Sequence, residues 1–157
     1  MTKPIRSLTI VRTFDAPRAL VWQAWTDPRQ MIQWWGPKGS DNPACELDLR
    51  PGGKITIHMR GPGFDHIVGG EFREVDPPRH LSFVAVGFYD ENGKPQLENM
   101  NWVDFDEIGG KTRMTLRCDV LRASPDLLPA IEGMDVGWNE SFDRLVDLLA
   151  RAPGGKS

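Results

Sequence analysis

The chain has 157 residues and a formal net charge of −3, a length that suits one domain with a true core, since about 68–70% of the unfolded surface is buried at this size. No apolar run approaches the roughly 18 residues of a membrane-spanning helix, and no cluster of Lys or Arg offers the positive field that nucleic acid demands. Two cysteines, Cys45 and Cys118, are too few for a disulfide scaffold or a zinc site, and the opening Met-Thr-Lys-Pro-Ile-Arg-Ser lacks the apolar stretch of a signal peptide, so a cytoplasmic protein with reduced thiols is expected.

Ser7 to Phe14 is β-branched and roughly alternating, which predicts a strand. Asp15-Ala-Pro-Arg reads as a helix start, with Asp15 as cap and Pro17 in the first turn, and Ala19, Trp22, Ala24 and Trp25 recur at helical spacing. Asp27-Pro28 repeats the signal for a second short helix through Met31 and Ile32, ending at Trp34-Trp35-Gly36-Pro37. Gly36 to Pro43 is a loop by composition. Ala44 to Leu49 predicts a strand, followed by a turn at Arg50-Pro-Gly-Gly53.

Lys54 to Arg60 alternates cleanly, with Ile55, Ile57 and Met59 on one face and His58 on the wet face. Strands are expected from about Asp65 to Val75 and through Leu81, Phe83 and Ala85, then a polar loop from Tyr89 to Glu98. Asn101, Val103 and Phe105 alternate with Met100, Trp102, Asp104 and Asp106. Gly109-Gly110 is a hairpin turn into Met114, Leu116, Cys118 and Val120. Seven strands joined mostly by tight turns imply one antiparallel meander, interrupted after its first strand by two short helices.

Pro129 falls in the first turn of a last segment, or in a short helix before it. From there Ile131, Met134, Trp138, Phe142, Leu145 and Leu149 make an apolar stripe over about 28 Å, with Glu140, Asp143, Arg144, Asp147 and Arg151 on the other sides. The tail Ala152 to Ser157 is expected to fray, so the ordered core runs from about residue 7 to 151 of a single 1–157 domain. The apolar face of the sheet needs a cover, and only this helix is long enough. The expected architecture is α+β: a curved seven-stranded sheet gripping the terminal helix, with space left between them.

Several phrases resemble a known family. Asp15-Ala-Pro-Arg-Ala-Leu-Val-Trp-Gln-Ala-Trp-Thr-Asp-Pro28, Trp34-Trp35-Gly36-Pro37, Asp48-Leu-Arg-Pro-Gly-Gly53, Gly70-Glu-Phe-Arg-Glu-Val-Asp-Pro-Pro78, Gly109-Gly-Lys-Thr112 and Gly133-Met-Asp-Val-Gly-Trp138 run in family order. They resemble SRPBCC (START-like, helix-grip) proteins, in the branch named for the activator of the 90-kDa heat-shock-protein ATPase. The resemblance implies a hydrophobic ligand cavity under the C-terminal helix. It spans carriers, cyclases, proteins that sequester natural products and co-chaperone domains, so it fixes the fold more closely than the activity. The eukaryotic activator also carries a separate chaperone-binding domain, for which 157 residues are not expected to leave room.

Motifs of catalysis, metal binding and cofactor binding are missing. Gly109-Gly-Lys-Thr112 has Phe105 where a phosphate loop needs Gly, Gly61-Pro-Gly63 has His66 where a dinucleotide fingerprint needs Gly, and Asn139-Glu-Ser141 lies inside a predicted helix. No cofactor and no metal are therefore expected. His80 reads as a surface residue. His66 shares a face with Val68, Gly70 and Phe72 and, with Glu74 on that face, is a pair that could serve proton transfer, although a hydrogen-bonded structural role near the strand end is the simpler reading.

The six Trp against a single Tyr call for an aromatic core or an aromatic pocket. Trp22 and Trp25 read as core. By phase, the cavity wall is expected to draw on Trp34, Trp35, Ile57, Met59, His66, Phe72, Phe83, Phe105, Met114, Met134, Trp138 and Phe142, with Trp138 the foremost ligand-lining side chain. Trp102 falls on the outer face of the sheet, as the anchor of a homodimer or protein partner or as a residue covered by the Tyr89–Glu98 loop. The leading reading is non-catalytic binding of an apolar or aromatic small molecule. A cyclase- or dehydratase-like enzyme using the same cavity, and a stress-related co-chaperone-like interaction domain, are the alternatives.

Overall fold

A computed structural model describes residues 3–151. Strand β1 (Arg6–Phe14) leads into helices α1 (Arg18–Thr26) and α2 (Pro28–Met31). Six strands follow: β2 (Asp41–Leu47), β3 (Lys54–Gly61), β4 (Phe64–Asp76), β5 (His80–Tyr89), β6 (Pro95–Ile108) and β7 (Lys111–Ala123). A 3-10 turn at Pro125–Leu127 precedes α3 (Leu128–Glu132) and α4 (Met134–Arg151). All seven strands join one antiparallel sheet in the order β1-β7-β6-β5-β4-β3-β2. This is the expected helix-grip arrangement: every sequential hairpin pairs, and β1 closes on β7 because two helices separate it from β2. The expected fraying of residues 152–157 lies outside the described residues.

Local chemistry moves several boundaries. Pro17 is the cap residue of α1, and no side chain caps that helix, so Asp15 does not fill the expected role. Asp27 does cap α2, its Oδ1 accepting from Arg29 N at 2.9 Å. β2 starts at Asp41, three residues early, because an edge strand with a register shift between Asp41 and Ala44 tolerates Pro43. It ends at Leu47, where Asp48 turns the chain. The loop before β6 is shorter than expected, since Asp90 Oδ1 accepts from Asn92 N and Lys94 N, both at 2.9 Å, and pairing resumes at Pro95. The terminal helical segment is two pieces, broken at Gly133 (φ −92°, ψ 4°), a residue with no side chain to favour helical dihedrals. Gly109 and Gly110 supply the two positive φ values, 57° and 80°, that the tight β6–β7 hairpin needs.

The core fills the end of the grip where α1 and the second half of α4 meet the sheet. Trp25 sits at its centre, with ring centroids 4.8 Å from Trp34, 6.2 Å from Phe83 and 6.3 Å from both Phe105 and Phe142. Trp25, Trp34, Phe105, Phe142 and Leu145 are entirely excluded from solvent. Trp34 donates its indole N–H to Ala24 O at 2.9 Å, which ties the α2 exit to α1. Replacing Phe142 by Ala should cost about 3–5 kcal/mol of stability, whereas Val136→Ala, on the exposed side of α4, should stay within about 0.5 kcal/mol; urea unfolding distinguishes the two.

Candidate functional site

At the other end of the grip the core gives way to a cavity of about 290 Å³. Its cause is a shortage of side-chain volume. β5 presents Ala85 and Gly87 to the helix side, and the helical layer presents Ala130, Gly133 and Gly137 to the sheet. No heavy atom lies within 4 Å of a Cβ built on Gly137. Trp35, Trp138, Met59 and Met134 form apolar walls, while Asn99, His66 and Ser141 are the main polar side chains. Trp35 and Trp138 meet edge to face, with centroids 5.4 Å apart at 81°. Trp138 also stacks on Trp25 at 6.3 Å, so the wall is continuous with the core.

The wall on the Trp35 side is held by α4. The Trp34-Trp35-Gly36-Pro37 turn exposes carbonyls that no strand or helix satisfies, and Arg144 collects them. Its guanidinium donates to Trp35 O (2.9 Å), Gly36 O (3.2 Å), Gln33 O (3.1 Å) and Ser40 O (3.1 Å). Ser141 Oγ adds a bond to Gly36 O at 2.8 Å, and Asn42 Nδ2 reaches Ile32 O and Trp35 O. Gly36 has φ +92°, and a Cβ there would lie 2.4 Å from Ser40 Oγ, so both conformation and space require glycine. Burial lowers the Arg144 pKa, yet carbonyl dipoles surround it and no carboxylate pairs with it among the described residues. Arg144 is thus a half-buried fastener and not part of the solvated stripe its charge suggested.

His66 lines the cavity, its ring 4.5 Å from Phe88 and 6.1 Å from Phe64 between centroids. Phe88 adopts φ +55°, an uncommon conformation for a bulky residue. Glu74 is not beside His66. A bulge between Phe72 and Glu74 reverses the alternation, so Val75 packs on the core side and Glu74 turns to the outer face of the sheet. There its Oε1 accepts from Ser82 Oγ at 2.8 Å and pairs with His80 Nε2 at 3.0 Å, while His80 Nδ1 meets Asp104 Oδ1 at 2.6 Å. Reading by twos across that stretch cannot reveal the bulge, so alternation alone puts Glu74 on the wrong face.

Of the twelve side chains expected to line a ligand, Trp35, Met59, His66, Met134 and Trp138 border the cavity. Trp34, Ile57, Phe72, Phe83, Phe105, Met114 and Phe142 are packed core instead, because the aromatic cluster around Trp25 leaves no comparable space at their end. Asn99 and Gly137 were missed. The first hid in a strand whose neighbours gave its phase but not its uncovered position, and the second is a glycine with no signal of its own. Trp102 is half-buried on the outer face, with the Arg117 guanidinium 5.0 Å above its ring, so Arg117 covers one face of the indole.

Burial lifts the Cys45 thiol to about 11 and the Cys118 thiol to about 12, which disfavours the thiolate at both. No group of three or more His, Cys, Asp or Glu among the described residues is placed to hold a metal ion. No helix among them is long and apolar enough to cross a membrane.

The curved antiparallel sheet, the gripped helix and the cavity between them define a helix-grip domain. Comparison with known proteins agrees. The family of activator of Hsp90 ATPase homolog 1-like proteins matches residues 15–150, and the chain belongs to that family. Among solved structures, protein Ms6760 from Mycobacterium smegmatis is 32% identical, with 94% of this chain and 92% of that one covered and a TM-score of 0.77. A protein from Arthrobacter aurescens is 28% identical over 94% and 88% of the two chains, with a TM-score of 0.79. The AHSA1 protein of Silicibacter pomeroyi is 25% identical over 92% and 98%, with a TM-score of 0.73. No curated protein matches the chain significantly.

Two measurements check this geometry. Arg144→Met should orphan the carbonyls it now satisfies, costing on the order of 3 kcal/mol and raising amide exchange in residues 36–40. His80 has a second signature. Partial burial lowers its pKa, but the bonds to Glu74 and Asp104 outweigh this and the net shift is upward. A raised native pKa gives stability that is complete below about pH 6.5, the ordinary His value, and is lost as pH rises through the native value. The melting temperature should therefore fall between pH 6 and pH 8.5 more steeply in the native sequence than in His80→Gln.

Proposed function

We propose that the protein binds an apolar, largely aromatic small molecule in this cavity without converting it. The observation that carries the reading is the cavity itself: about 290 Å³, walled by Trp35, Trp138, Met59 and Met134, and bordered by few polar side chains. At roughly 30 Å³ per water it has room for about ten waters. Water among such walls forms few hydrogen bonds, so an apolar guest that replaces it gains both area burial and dispersion contacts. The volume lies near the lower limit of the roughly 300–1,000 Å³ found for ligand pockets, which favours guests of two or three fused rings. The flexible thioethers of Met59 and Met134 suit guests of irregular outline.

Catalysis in the same space has thinner support. His66 borders the cavity, but the carboxylate expected to work with it lies on the opposite face of the sheet. A protein-binding role centred on Trp102 is weakened by the guanidinium that already covers that ring.

A thermal-shift screen of two- and three-ring aromatics tests the proposal. A guest at 100 times its Kd should stabilise the fold by about 2.7 kcal/mol and change the indole emission. Gly137→Leu places a side chain in the open space beside Gly137 and should abolish both responses, while removing a helical glycine keeps or raises the stability of the unliganded protein. Absence of any response across such a library would count against the cavity as a binding site.

A further inference from the structure

Among the described residues, the lining of the cavity includes no Asp, Glu, Lys or Arg, and its only titratable side chain is His66. A guest carrying a full charge would lose its hydration there without a counter-charge, which selects neutral molecules. One place on the wall is strongly polar all the same. Asn99 and Asn101 stand two residues apart on β6 and therefore share the inner face of the sheet. They are 9% and 1% exposed. Asn101 Nδ2 donates to Asn99 Oδ1 at 2.6 Å, while Asn101 Oδ1 is buried and meets no donor.

Two carboxamides hold four N–H donors and two acceptor oxygens between them, and this contact uses one of each. Buried amides are retained where they find partners, since desolvating them unpaired is unfavourable. Asn99 borders the cavity, and its cross-strand neighbour on β5 is Ala85, whose single methyl leaves it uncovered on that side. With Asn99 Oδ1 engaged by Asn101, the free end of the carboxamide is Nδ2, a donor.

We propose that the cavity recognises a neutral aromatic guest by one carbonyl-type oxygen, which accepts a hydrogen bond from Asn99 Nδ2, with Asn101 as the positioning residue that fixes the amide. The ligand class is then a ketone, aldehyde, quinone or ester of about two-ring size, in preference to a hydrocarbon or an amine. This inference rests on the cavity being a binding site.

The test uses a matched pair of probes, 2-acetylnaphthalene and 2-isopropenylnaphthalene, which have nearly the same shape and differ in one carbonyl. Each is titrated into the full chain and followed by NMR. The ketone should bind roughly tenfold more tightly, as expected when a buried donor gains its partner. The Asn99 side-chain amide pair should shift with the ketone and not with the hydrocarbon. Asn99→Leu should bring the ketone down to the affinity of the hydrocarbon. Asn101→Leu should narrow the preference to about threefold while leaving the hydrocarbon's affinity unchanged, whereas lost packing alone would weaken both probes alike. Equal affinities in the native sequence, or a preference that survives Asn99→Leu, overturn recognition of the oxygen and leave the cavity reading intact. Failure of both probes to bind overturns the cavity reading and this inference with it. Should Asn99→Leu not fold, the native-sequence pair and the amide shift decide the matter.

Discussion

The bond set of Arg144 is the interaction on which the rest of the site depends. One half-buried guanidinium donates to four backbone carbonyls in the segment that joins α2 to β2. A guanidinium suits this task because its planar fork presents several donors at once and stays charged despite burial. The consequence is geometric. Trp34 is driven into the core and Trp35 is held at the cavity wall, although the two are adjacent in the chain.

The grip thus divides into two regimes along one helix. Toward the end of α4, Phe142 packs against Trp25 and Trp34 in the buried cluster that also holds Leu145 and Phe105. Toward its start, Gly133 and Gly137 line the cavity together with Ala85 and Gly87 of the sheet. The packed half keeps the helix from settling onto the sheet, so the sparse half cannot collapse. Core packing and the open space are thus supplied by different residues of the same element.

The outer face of the sheet follows a different logic. Ser82, Glu74, His80 and Asp104 form a chain of hydrogen bonds, and Trp102 lies beneath Arg117. These contacts satisfy polar groups on the outer face of the sheet, and the upward shift of the His80 pKa links them to the pH dependence of folding. The bulge that places Glu74 there also removes the carboxylate that His66 would need for proton transfer between side chains.

Alternation by twos and the apolar stripe from Ile131 to Leu149 were enough to determine a seven-stranded meander gripping a terminal helix. Those periods reflect which face meets water, and that is a local property of each segment. The same reasoning told core from surface correctly for Trp25, Val103 and Leu116. It could not separate Trp35 from Trp34, or Met134 from Phe142, as bordering or filling the space. Each of these faces inward, and only the summed volumes of residues far apart in the chain determine where the interior is left open. The bulge at Glu74, the fastening by Arg144 and the uncovered Asn99 were likewise decided by tertiary structure, because each depends on a distant partner or on a register that no single strand encodes.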